Sequence, residues 1–160
     1  MTLPDVATTE PGDVLIIVEG HFAATPAEVF QAWTDPAIVK QWFGRVPNSL
    51  HSATIDLREG GAWRFLESSG EEKSVGFEGA YLVIEPDARL VFTWSKVIAH
   101  ASGAREATPA SQVDVTFSPS GDGTDVRLVH SYVHDEETRH DFGGGWAFAF
   151  NTMRALLSTS

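Results

Sequence analysis

His130 is the first residue whose chemistry stands out. It closes the run Val126-Arg127-Leu128-Val129-His130, and alternation puts it on one face with Val126 and Leu128. An imidazole on an apolar face is either a core residue with both nitrogens hydrogen-bonded or the polar anchor of a pocket, sharing one hydrogen bond with a ligand oxygen. His134, Asp135, Glu136, Glu137 and His140 form a second group. Imidazoles and carboxylates can hold zinc-like ions. Here the two histidines do not face alike on a helix, so no metal is expected. Asp135 instead suits a helix cap, with Glu136 and Glu137 complementing the positive helix end. Asp56, Arg58 and Arg64 form a third group. Asp56 and Arg58 share a strand face and read as a surface ion pair. The catalytic version would make Asp56 a general base and Tyr81 an acid.

The largest constellation is aromatic. Trp63, Phe65, Phe77, Tyr81, Phe92, Trp94, Phe117, Trp146 and Phe150 all take interior positions by strand alternation or helical phase. Such a set builds either a packed core or the lining of a pocket for an apolar or aromatic small molecule. The chain has no G-x-S-x-G elbow, P-loop, dinucleotide glycine fingerprint or H-E-x-x-H. No catalytic residue and no cofactor are therefore assigned.

The elements that must position these side chains follow from local pattern. A strand is expected over Val14 to Phe22, rich in β-branched residues. Thr25-Pro26-Ala27-Glu28 and Asp35-Pro36 each supply a cap and a proline for two short helices, bearing Val29, Phe30 and Trp33, then Ile38, Val39 and Trp42. Strands follow over Ser52 to Arg58, with Ala53, Ile55 and Leu57 on one side, and over Ala62 to Glu67. Ser74 to Glu85 carries Phe77, Tyr81 and Val83 on one side, and Leu90 to Lys96 carries Leu90, Phe92 and Trp94. Ala99 to Ala110 is small and polar and reads as a mobile loop. Gln112 to Ser118 and Thr124 to Val133 form a hairpin. A long helix, Glu136 to Ser158, presents Phe142, Trp146, Ala149, Phe150, Met153, Leu156 and Leu157 as one stripe. Phe148 falls off that stripe and is expected to be exposed or to lie in a homodimer contact. Gly143-Gly144-Gly145 costs about 1 kcal/mol per glycine inside a helix. Either the helix begins near the triplet or something packs close to its backbone.

This order gives an α+β fold: a curved antiparallel sheet of about six to seven strands on a long C-terminal helix. At 160 residues one domain is expected over 14–160, behind a flexible arm at 1–13. A formal charge of −11 argues against nucleic acid and anionic membranes as partners. The absence of cysteine excludes disulfides, thiolate metal sites and a cysteine nucleophile. No apolar run approaches a membrane span and the first residues do not read as a signal peptide, so a cytoplasmic protein is expected.

Several stretches, in this order, resemble a known family. They are Pro26-Ala27-Glu28-Val29-Phe30, Trp33-Thr34-Asp35-Pro36, Trp42-Phe43 and Asp56-Leu57-Arg58-Glu59-Gly60-Gly61-Ala62-Trp63-Arg64-Phe65. Glu85-Pro86-Asp87-Ala88-Arg89-Leu90-Val91-Phe92-Thr93-Trp94, Gly123-Thr124 leading to His130, and Gly145-Trp146 complete the set. The set is similar to the activator of heat-shock-protein-90 ATPase family in its bacterial single-domain form, within the SRPBCC (START-like) superfamily. That resemblance implies the helix-grip fold, with a cavity between sheet and long helix. Family members often carry a polar residue or histidine four residues before the last helix's tryptophan, where this chain has Phe142.

The expected function is a small-molecule-binding module for an apolar or aromatic ligand. Its lining would be Trp63, Phe65, Tyr81, Phe92, Trp94, His130, Trp146 and Phe150, with Trp42 and Phe43 at the mouth. The alternatives are a co-chaperone-like protein partner, ranked low, and a cyclase- or hydrolase-like enzyme of the same superfamily.

Overall fold

The structure is a computed structural model that describes residues 16–43, 50–69, 71–133 and 135–158. The expected arm at 1–13, the strand start at Val14 and Leu15, and His134 lie outside the described residues. The elements are β1 (Ile16–Phe22), α1 (Pro26–Thr34), α2 (Pro36–Trp42), β2 (Ser52–Ile55), β3 (Ala62–Ser69), β4 (Lys73–Glu85), β5 (Arg89–His100), β6 (Arg105–Ala107), β7 (Ser111–Ser120), β8 (Gly123–Ser131) and α3 (Glu136–Ser158). The strands form one antiparallel sheet in the order β1-β8-β7-β5-β4-β3-β2, with β6 added to β5. β2 to β6 pair in succession and β7 pairs β8, while β7 also lies on β5 and β1 closes against β8, Ile16 opposite His130. The α+β helix-grip architecture is thus present.

The two short helices begin as their residues dictate. Thr25 accepts the Glu28 N–H at 3.2 Å while Glu28 accepts the Thr25 N–H at 3.0 Å, a reciprocal capping box. Asp35 closes α1 through its own N–H to Gln31 and opens α2 by accepting the Ala37 N–H at 2.9 Å. Trp42 Nε1 donates to Ala32 O at 2.8 Å, which ties α2 back onto α1. Helices this short are held by such packing and not by propensity.

α3 lies across the inner face of the sheet. Phe150 meets Phe22 of β1, Trp146 meets Trp94 of β5, and Phe142 meets Phe77 of β4, at centroid separations of 5.7, 5.0 and 6.3 Å. Phe148 is half exposed, as its helical phase requires. The helix is continuous through Gly143-Gly144-Gly145, so it does not begin there. A Cβ at Gly145 would meet no atom within 4 Å, so close packing is not what keeps glycine at that position.

Four expectations are corrected. The chain leaves the sheet after Ile55 to make the Asp56–Ala62 turn, so Leu57 is exposed. A bulge between Tyr81 and Val83 shifts the alternation of β4, so Ile84 packs on the core in place of Val83. The segment read as a loop from Ala99 holds the end of β5 and the short strand β6, whose Arg105–Ala107 pair with Val97–Ala99. β8 ends at Ser131, because Tyr132 takes a φ of 62°, which breaks the extended run.

Candidate functional site

The site begins at a glycine. Trp63 of β3 faces Gly79 of β4 across the ladder, and a Cβ at Gly79 would lie 1.9 Å from Thr93 O and 2.8 Å from Trp63 Nε1. Only a residue without a side chain lets β4 approach Thr93 and leaves room for the indole. Trp63 Nε1 then donates to Thr93 O at 3.2 Å. This fixes Trp63 beside Phe65, Phe92 and Trp94, with centroids 4.8, 5.5 and 5.4 Å away.

From the other side α1 and α2 deliver Trp33, Trp42 and Phe43. Trp33 packs on Trp42 at 4.9 Å and stacks on Trp146 of α3 at 5.7 Å. Phe43 meets Phe65 at 4.9 Å and Trp94 at 5.8 Å. The result is a small apolar space between sheet, α2 and α3, lined by Trp33, Trp42, Phe43, Trp63, Phe65, Tyr81, Leu90, Phe92, Trp94 and Trp146. All five tryptophans of the chain border it. The free volume is only about 10 Å³, roughly room for one water molecule. Among the described residues Tyr81 is the titratable one in the lining, and burial pushes its phenol well above the usual range, so it stays protonated.

Of the residues expected to line a pocket, Trp42, Phe43, Trp63, Phe65, Tyr81, Phe92, Trp94 and Trp146 come together here. Trp42 and Phe43 are buried, so they do not stand at an open mouth. His130 and Phe150 do not line the space. Phe150 stands behind Trp33, at 6.1 Å. His130 is fully buried with both nitrogens engaged: Trp146 Nε1 donates to Nδ1 at 3.1 Å and Nε2 lies 2.6 Å from Ser111 Oγ. Ser111 Oγ in turn donates to Trp94 O at 3.1 Å. Since Nδ1 accepts, Nε2 carries the proton and donates to Ser111. Burial pushes the His130 pKa down to about 3. His130 therefore holds Trp146 and the strand bearing Trp94 in place. Phe142 stacks flat on its ring, at 5.5 Å and 9°.

Trp33 and Leu90 were not assigned to the lining from sequence. Trp33 shared the inner stripe of α1 with Val29 and Phe30, and that stripe gave the signal without saying what the indole would face.

Two lining groups stand apart. The indole nitrogens of Trp33 and Trp94 are buried and meet no acceptor among the described residues. A buried N–H without a partner costs about 1–3 kcal/mol. The other indoles, Trp42, Trp63 and Trp146, each donate to a protein atom.

The titratable clusters do not converge on this space. Asp56 pairs with Arg58 at 2.8 Å, both side chains exposed, whereas Tyr81 is buried. Asp135 accepts the Thr138 N–H at 2.7 Å as a helix cap, and Glu136 pairs with Arg139. Among the described residues no helix is long and apolar enough to cross a membrane.

Comparison with known proteins agrees with this architecture. The profile described as activator of Hsp90 ATPase homolog 1-like protein matches residues 23–158. No curated protein matches. Among solved structures, CalU16 from Micromonospora echinospora is 27% identical with a TM-score of 0.64, over 91% of this chain and 77% of CalU16. Mll3558 from Rhizobium loti is 25% identical with a TM-score of 0.69, over 91% of this chain and 96% of that one. DynU16, from the dynemicin biosynthetic locus, shares the fold at 23% identity and a TM-score of 0.69, over 91% of this chain and 47% of its own length.

Proposed function

Since the chain belongs to the activator of Hsp90 ATPase homolog 1-like family, we propose that it is a small-molecule-binding module whose ligand sits among the aromatic rings between sheet and α3. The observation that carries this reading is the convergence of all five tryptophans on one apolar space. A protein that needed only a core could fill it with aliphatic side chains. Flat rings from three helices and several strands favour an apolar or aromatic guest. Binding is favoured over catalysis because the described lining offers a protonated phenol and no base to work with it. A cytoplasmic location and no resident cofactor belong to the same reading.

The rings nearly fill the space, so a guest enters by displacing them, a shift toward a population with the rings parted. Thermal-shift screening of steroids, flavonoid-like aromatics and lipids, with native mass spectrometry of freshly purified protein, tests it. A ligand that binds only the folded state adds about 2.7 kcal/mol of stability at a hundredfold excess over its Kd. A saturable rise in Tm, lost in Trp94→Ala, supports the module. A flat screen and a clean apo mass contradict it.

The nearly filled interior favours one second reading, a protein partner in place of a small ligand. The family description points to a chaperone ATPase. Stimulation of Hsp90 ATPase turnover by the purified chain would support that reading, and an unchanged rate would remove it.

A further inference from the structure

The tryptophans that border the interior differ in one respect that bears on what they hold. Trp42, Trp63 and Trp146 spend their indole N–H groups on Ala32 O, Thr93 O and His130 Nδ1. Trp33 and Trp94 are as deeply buried, and their N–H groups have no acceptor among the described residues. These two residues come from different walls, α1 and β5, and both rings pack on Trp146, at 5.7 and 5.0 Å. The protein thus completes the hydrogen bonds of three indoles and leaves unmet the N–H groups of two residues that border the space.

A partner for them must offer acceptors. It must also be neutral, because among the described residues no charged side chain lines the space, and a buried carboxylate or phosphate would lack a counter-charge there. A cation could lie on the ring faces but would give the two N–H groups nothing to donate to. Carbonyl oxygen on an apolar frame meets all of these conditions. We infer that Trp33 and Trp94 are the polar anchors of a site for a neutral, largely apolar carbonyl compound, an inference that rests on the interior being the binding site. The anchors set specificity, since a donor built to meet an oxygen disfavours the analogue that lacks it.

Matched probe pairs test this: fluorenone against fluorene, and acetophenone against ethylbenzene. Each is titrated into the full chain by calorimetry and into nitrogen-15 tryptophan-labelled protein by NMR. The ketone is expected to bind about tenfold tighter than its hydrocarbon. Two indole N–H resonances should move downfield, and assignment by Trp33→Phe and Trp94→Phe should show them to be these two. In each variant the ratio of ketone to hydrocarbon affinity should fall roughly threefold. If a variant does not fold, the ketone-to-hydrocarbon ratio in the unaltered protein still decides. Equal affinity within a pair, with no indole shift, overturns the inference and leaves the binding module standing. Failure of every probe to bind overturns both.

Discussion

His130 shows how a buried polar side chain can hold a site without facing it. Each donor in its chain has one acceptor: Trp146 N–H to Nδ1, Nε2–H to Ser111, Ser111 O–H to Trp94 O. Protonating the ring would replace the Nδ1 acceptor with a second donor, so burial and bonding oppose it together. With a folded pKa near 3 against an ordinary 6.5, the unfolded chain binds more protons between those values. Stability therefore rises with pH through that window and is lost as pH falls from 6.5 toward 3. The slope is about 1.4 kcal/mol per pH unit for one such group. Chemical denaturation at pH 4 to 5.5 should show this slope in the unaltered protein and a flatter one in His130→Gln. His130→Ala should cost about 3 kcal/mol or more at pH 7, because it leaves a cavity and an unpaired Trp146 N–H. Sequence placed His130 on the inner face but could not say whether its nitrogens were spent. Its partners lie 19 and 16 residues away, on another strand and on α3, so only the assembled fold decides.

At the scale of elements, two glycines act in opposite directions. Gly145 lies in a helix where an added Cβ meets nothing within 4 Å. Gly145→Ala should stabilise the fold by about 0.5–1 kcal/mol, seen as a higher denaturant midpoint. Gly79 has no such space, since a Cβ there would lie 1.9 Å from Thr93 O. Gly79→Ala should destabilise by roughly 1–3 kcal/mol and disturb the Trp63 indole, which near-ultraviolet circular dichroism would register. Most elements were legible because caps, prolines and alternation are local signals; Thr25-Pro26, Asp35-Pro36 and the α3 stripe all landed where their residues put them. The departures are non-local. The bulge after Tyr81 and the pairing of Arg105–Ala107 with β5 are set by what lies alongside each strand. Neither leaves a local pattern.

The molecule as a whole brings five tryptophans from α1, α2, β3, β5 and α3 to one place. Sequence identified most of that lining through inward phase, since a residue's face follows from period alone. It could not give the volume left between the rings, which depends on how side chains of different size interlock. That volume is small, so the rings must part when a guest arrives. The emission of every tryptophan should then respond to one ligand. The most direct measurement is intrinsic tryptophan fluorescence, followed while titrating any compound that raises Tm. A saturable change in emission is expected, with a midpoint that coincides with the calorimetric Kd. A compound that raises Tm while leaving the emission unchanged would place the ligand elsewhere and contradict an aromatic interior as the binding site.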